Sequence, residues 1–445
     1  MKKIAIVALA MVLIYIAALV LPAAIHPKAE PVSLPSGATG ERIACIDDNV
    51  EALVWRLRMI EAAQEEIILS TFDFGTGRAG QDMMAALLQA AKRGVTVQLL
   101  LDGYNSGETL KDENFRALAS LPNVEVRVYN AVNLLLPWKW NFRMHDKYVI
   151  VDRQMYLIGG RNTNNLFLGN YSETPNIDRD ILVYGSGMEG STGQLMDYFT
   201  EVWELSKPQK IKDADNRQAL TDRYTWLKET YPDAFGFTQW EEHTMAAASV
   251  ALVRGQPQSS GKAPTVWKQL CGYMEQGKQV LIQTPYVICS DEMYRDLTAV
   301  TTGGTSVQIL TNSPETGANP FGCTDLKNNR QNILNTGVTL MEYSADHSLH
   351  SKTILIDDSV SIIGSFNMDM RSAYIDTETM LVVDCPELNA RLRAQVEQME
   401  TECVTTAPDG TQTYGTAYQK RELSIGRSLG YTLLGLASGF FRHLM

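Results

Sequence analysis

The sequence predicts an α/β protein made by tandem duplication and preceded by one apolar helix. Three observations carry this. Helical and strand-like hydrophobic patterns alternate through the first part of the chain and return in the same order after residue 262. The stretch Val95–Asp102 is echoed by Thr305–Asn312, and Val124–Tyr129 by Thr339–Tyr343. An uncharged run from Ile4 to Ile25 follows Lys2-Lys3 and is long enough to span a bilayer as a helix.

Residues 1–28 are therefore assigned to a retained anchor. A cleaved signal peptide is the rival, but its apolar core runs to about 7–15 residues, and no convincing A-x-A site precedes His26-Pro27. With Lys2 and Lys3 on the cytoplasmic side, the rest of the chain lies outside. Residues 29–42 hold Pro, Ser and Gly and read as a linker. The first half, 43–206, opens with apolar residues at helical spacing from Asn49 to Ala63 and a strand pattern from Glu65 to Phe74. A helix from Met83 to Lys92 is closed by Arg93-Gly94, where glycine suits a C-terminal cap. Strands follow at Val95–Leu101 and Val124–Tyr129. Gln194–Leu205 is amphipathic, with Phe199 and Trp203 four apart as core packing. Residues 207–262 read as a polar insertion ending in a loop, with no chemistry assigned. The second half, 263–403, repeats the order with a helix at Val266–Met274 and a strand at Val280–Val287. In the tail, 404–445, the apolar stretch Leu429–Phe441 is too short to span a bilayer. It reads as an interfacial helix on a membrane or as a helix capping the domain.

Composition narrows the function. At 445 residues, 45% hydrophobic and 20% charged, the chain is globular with room for a large core. A net charge of −12 argues against a nucleic-acid partner, which calls for a basic footprint. The six cysteines (Cys45, Cys271, Cys289, Cys323, Cys385, Cys403) show no metal-binding spacing. An outside location permits disulfides whose pairing the sequence leaves open. Cys271, in a helical pattern, reads as a buried thiol.

The chemistry sits in a repeated motif. Met144-His145-Asp146-Lys147-Tyr148-Val149-Ile150-Val151-Asp152 is followed by Gly159-Gly160-Arg161-Asn162. Its second copy is Leu349-His350-Ser351-Lys352-Thr353-Ile354-Leu355-Ile356-Asp357, followed by Gly364-Ser365-Phe366-Asn367. His and Lys two apart on a strand share a face, and the aliphatic runs suit buried strands. Asp152 and Asp357 open hairpin turns and serve the turn as much as any ligand. Gly159-Gly160 and Gly364-Ser365 are small enough to let an anion approach the backbone. Each half thus offers an imidazole, an ammonium and a carboxamide, a set suited to phosphate. A lone His-x-Lys is usually a surface accident, but two copies with matched Asn, small pairs and downstream acids are not. His347 reads as a loop residue. Leu134–Trp140 is either a lipid-facing lip or buried packing.

At these residues the chain resembles the phospholipase D superfamily, with its duplicated HKD motif. Asn141-x-Arg143-x-His145-x-Lys147 and Gly159-Gly160-x-Asn162 are similar to the first motif of the bacterial cardiolipin synthase branch, and Gly364-Ser365-x-Asn367-x-Asp369-x-Arg371-Ser372 to the second. The resemblance implies two α/β/α halves about a pseudo-twofold axis with one active site at the seam. It implies a catalytic set of His145, Lys147, Asp152, His350, Lys352 and Asp357, with His145 as nucleophile and His350 as acid. Histidine suits both roles because its ordinary pKa of about 6.5 lies near working pH. Lys147, Asn162, Lys352 and Asn367 would hold the phosphate, and Asp180 and Glu378 would orient the two imidazoles. No metal and no cofactor enter this scheme.

The implied activity is that of a membrane-anchored phosphatidyltransferase working through a phosphohistidine, converting two phosphatidylglycerols into cardiolipin and glycerol. Its partners are an anionic phospholipid and the membrane, with no obligate protein partner. Alternatives are a phospholipase D making phosphatidic acid, an HKD nuclease, or an inactive membrane scaffold. The acidic balance disfavours the nuclease, and both intact His-Lys pairs disfavour the scaffold. The chain departs from the branch at Asp376-Thr377-Glu378, where Asn-x-Glu is usual, so an added carboxylate bears on polar-head selection.

Overall fold

The computed structural model describes residues 2–185 and 187–445. Its first half contributes strands β1 (Arg42–Ile46), β2 (Glu66–Thr71), β3 (Thr96–Asp102), β4 (Val124–Tyr129), β5 (Tyr148–Val151), β6 (Met155–Gly159), β7 (Asp180–Tyr184), β8 (Lys207–Pro208) and β9 (Met245–Ala246). These form a nine-stranded sheet in the order β8-β4-β3-β2-β5-β6-β7-β1-β9. The later strands are β10 (Ser249–Arg254), β11 (Gln279–Gln283), β12 (Val287–Ile288), β13 (Ser306–Asn312), β14 (Thr339–Tyr343), β15 (Thr353–Ile356), β16 (Val360–Gly364), β17 (Met368–Asp369), β18 (Thr379–Asp384), β19 (Cys403–Thr406) and β20 (Gln412–Tyr414). The second nine-stranded sheet runs β10-β18-β16-β15-β11-β13-β14-β19-β20, while β12 and β17 pair apart.

The two orders superimpose. β2-β3-β4 and β11-β13-β14 are parallel triplets, and β5-β6-β7 and β15-β16-β18 are antiparallel. The echoed sequences are β3 and β13, whose residues alternate between solvent and core in the same pattern before four buried positions. The helix before each ends on a glycine in the left-handed region, Gly94 at φ 101° and Gly304 at φ 104°. Any side chain there would be strained, so glycine marks the turn into the strand.

Three cores follow from this layering. One lies between the sheets and takes Ile68, Tyr148, Ile158, Leu281, Leu355 and Ile363 from both halves. The other two lie under the outer helices, Asn49–Ala62 and Arg78–Lys92 in the first half and Thr265–Met274 and Asp291–Thr302 in the second. Phe199 and Trp203 pack into the central core as the amphipathic pattern predicts, with ring centroids 5.2 Å apart.

Residues 207–262 are not wholly an insertion. β10 lies at the edge of the second sheet and pairs with β18 as β1 pairs with β7, so the second sheet begins at Ser249 rather than 263. Ahead of it, helix Arg217–Thr230 buries Leu220 and Leu227 in the first half's outer core. All six cysteines are buried free thiols, so none of the disulfides the sequence permitted is formed.

The N-terminal helix Lys2–Val20 and the turn after it hold a segment, Lys3–Ala24, long and apolar enough to cross a membrane. The C-terminal helix Ile425–Phe441 caps the domain and keeps an exposed apolar stripe. One side packs on helix Pro320–Leu334, and the other leaves Ile425, Leu429, Leu433, Leu436 and Phe440 exposed.

Candidate active site

Both His-x-Lys segments lie in extended chain just ahead of β5 and β15, at the ends of the two sheets that meet. Backbone pairing across the seam fixes them. His145 N–H donates to Thr377 O at 3.2 Å, and Thr377 N–H to Arg143 O at 2.9 Å. Symmetrically, His350 N–H donates to Ile177 O at 2.7 Å, and Ile177 N–H to Ser348 O at 2.9 Å. Within each half, the last residue of the middle parallel strand holds the residue before the motif His. Asp102 Oδ2 accepts from Met144 N–H at 2.9 Å, and Asn312 Oδ1 from Leu349 N–H at 2.8 Å.

Each imidazole is oriented by a carboxylate from the opposite half. His145 Nδ1 lies 2.9 Å from Glu378 Oε1, and His350 Nδ1 lies 2.6 Å from Asp178 Oδ2. This exchange turns Nδ1 of each ring to a carboxylate and so fixes its tautomer.

Asp178, not Asp180, is thus the first half's orienting residue. Asp180 instead forms a buried ion pair with Arg56 at 3.0 Å and lies 3.4 Å from Arg161. The register gives the reason. Gly159 pairs with Asp180 and Gly364 with Met380, so Asp180 corresponds to Met380 and Asp178 to Glu378. Residues 178 and 180 share a strand face, so parity does not separate them. Counting back three from the aliphatic runs at Ile181 and Leu381 does.

The small pairs also have a different use from the one expected. A Cβ at Gly160 would stand 2.3 Å from Asp178 Oδ1, and one at Gly159 would stand 2.1 Å from Asp180 Oδ1. Their missing side chains make room for the protein's own carboxylates, not for a substrate anion. In the second half, Ser365 fills the place of Gly160 and donates its hydroxyl to Glu378, as does Ser372 at 2.6 Å.

Asp152 and Asp357 do not join the site. Asp152 accepts backbone N–H bonds from Gln64, Glu65 and Glu66 at 2.8–2.9 Å. Asp357 accepts from Lys278 and Gln279, both at 2.9 Å. Each sits at positive φ, 51° and 46°, and ties its hairpin to the strand beside it. Asp152→Ala should therefore cost about 2 kcal/mol of stability, since several bonds to a charged acceptor are lost. Its kcat should stay within a few-fold of the parent. Thermal unfolding beside initial rates checks both.

Lys147 and Lys352 are buried, and each bends back to the carbonyl of its own motif His. Lys352 Nζ also lies 2.8 Å from His350 Nδ1 and 3.3 Å from Nε2. Asn162 and Asn367 are buried with their Oδ1 atoms unpartnered. Two aromatic edges complete the walls, Phe72 at 5.1 Å from the His145 ring and Phe167 at 4.8 Å from His350. His347 is exposed in a loop.

Burial dominates the electrostatics. It lowers Lys147 to about 8 and Lys352 to about 7, and pushes Glu378 up to about 7. Burial and then Lys147 hold His145 well below the imidazole range; burial and then Lys352 lower His350 to about 4. Asp178 behaves differently. Burial opposes its charge, yet Lys352, His350 and Arg161 together hold it below the usual carboxylate range. Asp376, the departure from the branch, is paired bidentately with Arg371 at 2.9 and 3.1 Å, so a guanidinium offsets its charge.

These values set a pH dependence. A lysine with a lowered pKa is charged below it and discharged above it. An anionic substrate should thus lose kcat/KM as pH rises through about 7 to 8, Lys352 discharging before Lys147. Because bound phosphate favours the ammonium form, the matching fall in kcat should come at higher pH. Steady-state profiles from pH 6 to 10 separate the two limbs.

Residues 57–203 and 270–400, more than half of the chain, match the family described as cardiolipin synthase, PLD-like domain. The chain belongs to that family and is an enzyme of the phospholipase D superfamily. Cardiolipin synthase C of Escherichia coli is 27% identical over 392 residues, covering 77% of this chain and 81% of the relative. Cardiolipin synthase 1 of Staphylococcus epidermidis is 27% identical over 377 residues, covering 83% and 68%. Among solved structures, phosphatidylserine synthase of Haemophilus influenzae shares the fold with a TM-score of 0.66 at 15% identity, covering 93% of this chain and 98% of that one.

Proposed function

We propose that this chain is a membrane-anchored phosphatidyltransferase that converts two phosphatidylglycerols into cardiolipin and glycerol. The observation that carries the reading is the pair of crossed histidine–carboxylate contacts, with a buried lysine beside each imidazole. The names of the relatives supply the lipid class.

In the first step, neutral His145 attacks phosphorus through Nε2 and the bond to glycerol oxygen breaks. His350 gives that oxygen its proton. In the second step, His350 takes a proton from the hydroxyl of another phosphatidylglycerol, whose oxygen displaces His145. Lys147 and Lys352 face the charge on the non-bridging oxygens, and Asn162 and Asn367 offer amide donors. The electrostatics support this division of labour. Ionised Asp178 is the better counter-ion for an imidazolium, so His350 suits the acid. Glu378, pushed up to about 7, stabilises an imidazolium less, so His145 stays neutral and nucleophilic. An incoming phosphodiester adds the negative charge that raises His350.

Transfer is favoured over hydrolysis because the imidazoles are only 11% and 21% exposed. The anchor also holds a second lipid at high effective concentration. The pairing of Asp376 with Arg371 offsets the repulsion that an anionic acceptor would otherwise meet. The anchor places its N-terminus in the cytoplasm and the catalytic halves outside. A reporter fused after Met445 that works only in the cytoplasm would reverse that orientation, and a mature chain starting near His26 would mean a cleaved leader.

The test is a product assay in phosphatidylglycerol vesicles. Cardiolipin and free glycerol in equal amounts are expected. Phosphatidic acid as the main product would make the enzyme a phospholipase, and DNA cleavage without lipid turnover would remove the lipid reading.

A further inference from the structure

The helix Ile425–Phe441 covers an apolar cavity of about 400 Å³, within the range of ligand sites. Its walls include Tyr286, Ile288, Phe321, Leu434, Phe441 and Leu444. The helix is firmly seated over it. Tyr431 is buried, Gly435 lies against Asn328 and Thr324, and Arg442 pairs with Asp325 at 2.7 and 3.1 Å. Arg427 donates to the carbonyls of Glu315 and Gly317 at 2.7 and 2.9 Å.

Two of the lining residues, Asp369 and Arg371, connect the cavity to the candidate site. Asp369 accepts from Ser372 N–H at 2.7 Å, and the Ser372 hydroxyl bonds Glu378, which holds His145. Arg371 donates to Leu444 O at 3.0 Å and pairs with Asp376. The side of the cavity formed by Phe321 and Phe441 is partly exposed.

The chain's most apolar segment lies beside the residues that line the cavity. The apolar N-terminal helix meets the domain here, with His443 Nε2 3.2 Å from Val20 O and Asn141 Nδ2 donating to Leu19 O at 2.7 Å. The Tyr15 hydroxyl donates to Leu134 O at 2.9 Å, beside the exposed lip of Leu134, Leu135 and Trp138. The outer stripe of the C-terminal helix recurs at helical spacing, as on a helix lying in a membrane surface. A span, a lip and an interfacial stripe therefore gather at one end of the molecule.

We propose that this cavity holds one acyl chain of the phospholipid substrate, threaded beneath the C-terminal helix while the headgroup reaches the seam. The inference rests on the phospholipid reading and adds where the lipid tail lies. An apolar chain gains burial there that a short-chain lipid cannot match.

The test uses the full chain in phosphatidylglycerol vesicles doped with phosphatidylglycerol carrying a diazirine at the end of one acyl chain. After photolysis, labelled residues are mapped by mass spectrometry. Labels are expected on Phe321, Leu434 and Leu444 as well as on the outer stripe at Leu433 and Leu436. Ser438→Trp, which fills the cavity, should lower inner labelling by about tenfold, the equivalent of about two buried methylenes. The outer labelling serves as the internal control for a folded, membrane-bound chain. Labels confined to the outer stripe, or inner labels unmoved by Ser438→Trp, overturn the cavity as an acyl site. Inner labelling in a chain that transfers no phosphatidyl group supports the cavity and sinks the transfer reading. Transfer without inner labelling does the reverse.

Discussion

Asp178→Asn should lower kcat by about 10³–10⁴-fold while KM and thermal stability stay near those of the parent. The expected effect is large because Asp178 fixes the His350 tautomer and, in the proposed mechanism, stabilises the imidazolium of the first step. An amide of the same shape keeps the packing and loses the charge. The pH profile should change with it, since the ionised carboxylate is what lets His350 hold a proton. Asp180→Ala, two residues further along the chain, should have the opposite signature. It leaves Arg56 and Arg161 buried without their shared carboxylate, at a cost of about 3–5 kcal/mol. Turnover per folded molecule should be largely retained. Unfolding curves and single-turnover rates on both variants decide the assignment. A stable, fully active Asp178→Asn protein would sink it.

His145→Ala and His350→Ala should each cut turnover by about 10⁴–10⁶-fold with little change in stability, since both rings stand at the seam and not in a core. Removing both should cost scarcely more than removing either, because nucleophile and acid work as one unit. Additive losses in the double variant would mean that the histidines do not share a reaction. A chelator should leave all four rates unchanged.

The duplication was legible because β3 and β13 keep the same alternation and the same following segments. β10 is hard to read from the sequence because its apolar run, Val250–Val253, is short and continues an alanine-rich stretch from Met245, where strand and helix patterns look alike. The motif residues were legible as chemistry, yet their partnerships were not. Nothing local says that Glu378 serves the first half's histidine and Asp178 the second's; that exchange follows from how two sheets pack. Asp178 and Asp180 are hard to tell apart in the sequence because they are two residues apart and share parity, although the aliphatic runs after them carry the right alignment. Asp152 and Asp357 belong to the motif's spelling through their turns. Their sequence signal is the hairpin, and the structure uses them there. The pair Gly159-Gly160 had a visible need for small size, but what fills the space is the carboxylates of Asp180 and Asp178, at and just before the start of the next strand. The C-terminal helix supports two readings in the sequence because it is apolar on both faces, one packed on the domain and one exposed.

The central claim is that a phosphatidyl group passes through His145. Incubating the His350→Ala protein with a p-nitrophenyl ester of phosphatidic acid, whose leaving group needs no acid, quenching in mild alkali and mapping the digest by mass spectrometry tests it directly. A phosphatidyl adduct on the peptide carrying His145, absent from the His145→Ala protein, is the predicted result. An adduct on His350 in the His145→Ala protein, with none on His145 in its counterpart, would contradict it.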